Sequence, residues 1–176
     1  MENTLEKLKY PIGRFTAKES YADSEMQSFI ATIKSFPERL IKETKHLLDH
    51  DLNKTYRPKG WSVRQVVHHL ADSHMTALIR FKLTLTEKNL TIKPYNETAF
   101  AELQDYKLPI SVSLEIINGV HQRWALLLEN MDENDFERSY FHPEYKMNYA
   151  LKQVLANYNW HCKHHFEHIK LALATT

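Results

Sequence analysis

Apolar residues recur with a period near 3.6 over four long stretches of this 176-residue chain, and that pattern constrains the fold more than any other feature. The first stretch runs from about Asp23 to about His50, with Met26, Phe29, Ile30, Ile33, Leu40, Ile41, Leu47 and Leu48 in helical register. Pro37 falls inside it and is expected to kink the helix or to start a second segment at its first turn. The second stretch opens on Ser62-x-x-Gln65, a capping-box pattern, with Trp61 and Val66 placed as a hydrophobic staple, and continues to about Thr86. The third carries Val112, Ile116, Ile117, Val120, Trp124, Leu127 and Leu128, with Ser111 as the expected N-cap. The last runs from about Leu151 to Ala172. Four long helices in one domain predict an all-α four-helix bundle.

The connections are less regular. Residues 1–22 read as an irregular lead-in with a turn at Tyr10-Pro11-Ile12-Gly13. Residues 87–110 hold Pro94 and Pro109 and read as a long link, with one short helix around Glu97–Leu103. Residues 132–149, with Tyr140, Phe141, Tyr145 and Tyr149 around His142-Pro143, suit a short hairpin or an aromatic loop before the last helix. No repeat or linker divides the chain, so residues 1–176 are expected to form one domain.

Composition removes several function classes. A net charge of +1 with acids and bases interspersed does not make a phosphate-tracking nucleic-acid surface. No apolar run approaches a membrane span, and the polar start has no signal-peptide core. The single cysteine, Cys162, forbids an internal disulfide and suits a reducing compartment, so a cytoplasmic protein is expected. Three glycines nearly rule out Gly-rich phosphate loops. A domain of this length buries a core without a metal staple, so a metal here is free to serve a function.

Eleven histidines are the unusual count, and four of them lie between His161 and His168. On the last helix Val154, Tyr158, His161, His165, Ile169 and Ala172 fall within roughly a 90° sector at about 100° per residue. His161 and His165 therefore face the interior one turn apart, where they either share a metal or are hydrogen-bonded core residues. His164 and His168 sit nearer the edge of that stripe and read as partly exposed or as donors behind a ligand, with His168 a substitute ligand. On the second helix periodicity nominates His74, which is central in the stripe, over His69, which lies to one side. Cys162 reads as a small buried filler.

Several stretches resemble one family. Trp61–His74 (WSVRQVVHHLADSH) and Trp160–His168 (WHCKHHFEH) resemble the second-helix and last-helix signatures of the DinB/YfiT-like metalloenzymes. YPIGRF at Tyr10–Phe15, IRFKLTLTE at Ile79–Glu87, KPYNE at Lys93–Glu97 and YFHP at Tyr140–Pro143 resemble its YfiT branch, so the likeness spans about residues 9 to 172. The resemblance implies a four-helix bundle with a short extra hairpin, usually a homodimer. It also implies one divalent metal per chain, zinc or nickel, held by three histidines. It places the second-helix ligand directly before Leu70-Ala71, at His69, and the others at His161 and His165, overriding the nomination of His74 and leaving His74 outside the metal site.

Three neutral histidines leave a coordination position open, the arrangement of catalytic rather than structural zinc. With water as nucleophile the reaction is hydrolysis, and a metal-dependent hydrolase acting on a small molecule is the leading reading. A low-molecular-weight thiol as nucleophile would make the chain an S-transferase of the bacillithiol type, and a closed site would make the metal structural. Asp72, Glu167 and His68 are the candidate acid, base or orienting groups, and Arg64, Arg80 and Arg123 the candidate anion-binding residues.

Overall fold

A computed structural model describes residues 2–174, with side chains from residue 5 onward. The four predicted long helices are α2 (Asp23–Thr44), α4 (Val63–Thr86), α6 (Ile110–Glu129) and α8 (Leu151–Ala174). Shorter helices complete the set: α1 (Glu2–Lys9), α3 (Asp49–Leu52), α5 (Glu97–Phe100) and α7 (Glu133–Glu137). A 3-10 turn covers Gln104–Lys107. In the bundle, α2 packs on α6 and α8, and α4 closes the ring against the same two helices. Its axis is filled by side chains at most 1% exposed, among them Ile33, Phe36, Leu70, Phe81, Trp124 and Leu155. Among the described residues, no helix is long and apolar enough to cross a membrane.

Local chemistry explains the boundaries. The Ser62 hydroxyl accepts from the Gln65 N–H at 3.2 Å and the Gln65 carboxamide accepts from the Ser62 N–H at 3.0 Å, closing the predicted capping box on α4. In α6 the helix begins one residue before the expected cap: Pro109 holds the cap position and Ser111 lies in the first turn. Proline suits that position because no intrahelical donor is needed there, and its carbonyl accepts from the Val112 N–H at 3.2 Å. Part of the lead-in that read as irregular is helical, as α1, while the turn at Tyr10–Gly13 forms, closed by Gly13 N–H on the Tyr10 carbonyl at 3.0 Å with Gly13 at φ 80°.

Pro37 does not divide α2, which runs through it to Thr44 and then gives way to the short α3. The aromatic segment is a hairpin, β1 (Ser139–His142) and β2 (Met147–Ala150), antiparallel with Tyr140 opposite Tyr149. Phe141 ties the hairpin to the 87–110 link through the Leu90 carbonyl at 2.8 Å and the Ile92 N–H at 3.1 Å. The hairpin also sets the start of α8, because Leu151 N–H donates to the Arg138 carbonyl at 2.9 Å. That junction fixes which face of α8 turns inward.

Candidate metal centre

On α8, Val154, Tyr158, His165, Ile169 and Ala172 are buried and His161 is partly accessible, as the stripe predicts. On α4, both His69 and His74 are buried, 1% and 0% exposed, so burial does not choose between them. Direction does. His69, His161 and His165 point one ring nitrogen each into a common region where the three atoms lie within 4.8 Å of one another. The ring centroids are 4.4 Å apart for His161–His165, 4.8 Å for His69–His165 and 5.3 Å for His69–His161. Trp61, positioned by the α4 cap, lies against the His69 ring at 4.7 Å.

The electrostatics keep these rings neutral, as metal ligation requires. Burial pushes His69 down to about 4 and holds His161 and His165 well below the ordinary histidine value, with the neighbouring imidazoles adding to the effect. The Nε2 atoms of His69 and His161 stand 3.2 Å apart. Two nitrogens bonded to one tetrahedral zinc at about 2.0–2.1 Å would be separated by about 3.3 Å. His69 Nδ1 is buried with no hydrogen-bond partner, so that ring is not committed to a protein network at its other end. Imidazole nitrogen suits zinc and nickel alike, and the donor set fits either ion.

His74 takes another position. Its Nε2 lies 3.1 Å from His161 Nδ1, and its Nδ1 lies 2.7 Å from Nε2 of His121 on α6. Sequence reasoning passed over His121, although it occupies the centre of the apolar series Leu114, Ile117, Trp124, Leu128 at heptad spacing. A histidine inside such a stripe is the signal that could have found it. His164 and His168, read as edge residues, are buried at 6% and 2%. They form a second group of ring nitrogens with His165. His168 is committed at both nitrogens: its Nε2–H donates to the Lys9 carbonyl at 3.2 Å and its Nδ1 lies 3.4 Å from His165 Nδ1, while Tyr56 stacks on its ring at 3.8 Å. Cys162 is fully buried, and burial pushes its thiol up, so it is the inert filler expected.

The candidate acid and base residues are spent away from the cluster. His68 bridges the Ser113 hydroxyl at 2.7 Å and the Leu108 carbonyl at 3.1 Å. Asp72 accepts from the Tyr106 hydroxyl at 2.7 Å, and Glu167 pairs with Lys170 at 2.9 Å. Of the three arginines, Arg64 pairs with Asp49 at 2.7 Å and Arg123 is exposed. Only Arg80 faces a cavity that reaches the histidines. That cavity, about 320 Å³, ends on His161 and is walled by Ser73, Arg80, Glu97, Tyr140, His142 and Tyr158. Burial raises the Glu97 carboxyl, and it raises the Tyr158 hydroxyl, which bonds Ser73.

Comparison with known proteins shows the family and the fold. The pattern described as the DinB superfamily matches residues 32–169. Proteins of Bacillus cereus (strain B4264) and Bacillus thuringiensis subsp. konkukian (strain 97-27), both named "Putative metal-dependent hydrolase", are 46% identical over 162 residues, covering 92% of this chain and 93% of theirs. YfiT from Bacillus subtilis, described as a probable metal-dependent hydrolase with an unusual four-helix bundle topology, superposes with a TM-score of 0.90 at 41% identity, over 93% of this chain and 94% of its own. A mycothiol-dependent maleylpyruvate isomerase shares the fold alone, with a TM-score of 0.60 at 8% identity over 86% of this chain and 62% of its own.

Proposed function

Because this chain belongs to the DinB superfamily, we propose that it is a metal-dependent hydrolase of a small-molecule substrate, with His69, His161 and His165 as the ligands of one divalent ion. The observation that carries the reading is the convergence of three neutral ring nitrogens within 4.8 Å at the end of an open cavity. Zinc is the proposed ion and nickel the alternative. A divalent ion held by three neutral histidines supplies Lewis acidity, which brings water towards deprotonation near neutral pH and polarises a carbonyl.

The chain's own residues supply the rest. The cavity admits substrate to the accessible edge of His161, while His69 and His165 stay sealed behind it. Arg80, held by its bond to the Lys93 carbonyl at 3.2 Å, offers a cation to an anionic or carbonyl group of the substrate. The Glu97 carboxyl, raised by burial, lies in the same wall and keeps its proton to higher pH than an ordinary glutamate, which suits it to proton transfer.

The test is turnover by the metal-loaded protein on esters and amides without thiol, beside electrophiles offered with a small thiol. Turnover in the first set, lost on chelation and restored by zinc or nickel with helicity unchanged throughout, is the expected result. Turnover only with thiol present would replace the hydrolase with an S-transferase. Chelation that melts the bundle, with no turnover in either set, would make the metal structural.

A further inference from the structure

Pro37 has a consequence outside its own helix. It has no N–H, so the Ile33 carbonyl, four residues upstream and facing the bundle interior, loses its helical donor. Ile33 is fully buried, and a carbonyl left unpaired there would be costly. His121 fills the gap: its Nδ1 lies 2.6 Å from the Ile33 oxygen.

A carbonyl oxygen only accepts, so the hydrogen is on His121 Nδ1 and the neutral ring presents a bare Nε2. That Nε2 lies 2.7 Å from His74 Nδ1, which must therefore donate. The bare Nε2 of His74 then accepts from His161 Nδ1 at 3.1 Å. His161 is left with an unprotonated Nε2, and this atom faces His69 Nε2 at 3.2 Å. Each link forces the next, because the opposite assignment would require the Ile33 carbonyl to donate. The chain passes through all four long helices: α2, α6, α4 and α8. Phe36 packs on the His74 and His121 rings, each at 5.6 Å.

We propose that Pro37, His121 and His74 are positioning residues that lock His161 in the tautomer and orientation of an Nε2 metal ligand, by way of the carbonyl that Pro37 frees at Ile33. The proposal rests on the metal-site reading above and deepens it, and it returns His74 to the site as the support of a ligand. Outer partners of ligating histidines typically contribute 10–100-fold to metal affinity.

The experiment uses the full chain and two readouts. Long-range 1H–15N spectra of the metal-free protein report which ring nitrogen of each histidine carries hydrogen, with no metal needed. Zinc affinity is measured by competition with a chelator. The expected spectra show Nδ1–H on His121, His74 and His161. His74→Phe, which keeps ring volume and removes the acceptor, should lose 10–100-fold in zinc affinity. His74→Gln, whose carboxamide oxygen can take the acceptor's place, should recover part of it. Pro37→Ala returns an N–H to compete for the Ile33 carbonyl. It should weaken zinc binding while the melting temperature holds or rises, which a purely structural proline would not do. Nε2–H on His161 in the metal-free protein, or zinc affinity unchanged in His74→Phe, would overturn the relay. Full zinc occupancy in His161→Ala would instead overturn the metal site, and the tautomer spectra would still decide the relay.

Discussion

Acidification should destabilise the metal-free protein through its buried neutral imidazoles, and His121 allows the size of the effect to be worked out. Burial pushes its folded-state value from 6.5 down to about 4, and the ring is 1% exposed, so solvent screening takes little away. Between those values the unfolded chain binds a proton that the folded chain does not. Stability therefore rises with pH across the window and is lost as pH falls from about 6.5 towards about 4. At about 1.4 kcal/mol per pH unit, His121 alone accounts for about 3 kcal/mol. His69 is shifted alike, so the pair removes about 6 kcal/mol, a large share of the roughly 5–15 kcal/mol that holds a typical domain. The assay is urea unfolding of chelated protein at several pH values from 7.5 to 4, for wild type and for His121→Gln. Carboxylates titrate in both proteins, so the difference between the two curves isolates the ring. The variant should lose about 3 kcal/mol less than wild type over the window. Parallel curves would show that His121 is not held neutral by its burial, and the reasoning would fail.

Two further outcomes are expected. Purified wild-type protein should retain close to one divalent ion per chain, whereas His161→Ala and His165→Ala should each lose most of it by elemental analysis, and full occupancy in either would remove that residue from the ligand set. Trp124→Ala should cost about 3–5 kcal/mol in denaturant unfolding, because the ring is fully buried at the contact of α6 with α4 and its N–H has no partner to lose; a loss below about 1 kcal/mol would mean that the cavity collapses.

The bundle was legible in the sequence because each long helix carries its own evidence. The apolar period near 3.6, the Ser62–Gln65 box and the spacing of His161 and His165 are local properties, and local hydrogen bonding realises them whatever lies opposite. Boundaries were less legible where two local rules compete, as at Pro109 and Ser111, or where a short segment such as α1 has too few residues for periodicity to show. The choice between His69 and His74 lay beyond periodicity altogether. Both are buried, and the sector a residue occupies on one helix does not say which neighbouring helix its ring nitrogen meets. Family resemblance singled out His69, which the tertiary structure turns toward His161 and His165, and only the tertiary structure shows what His74 does. His121, which falls in none of the motifs quoted from the sequence, and Pro37, which reads as a helix defect, acquire their meaning only when α2, α4, α6 and α8 are assembled. A hydrogen-bond chain that crosses four helices is set by packing, and no single helix encodes it.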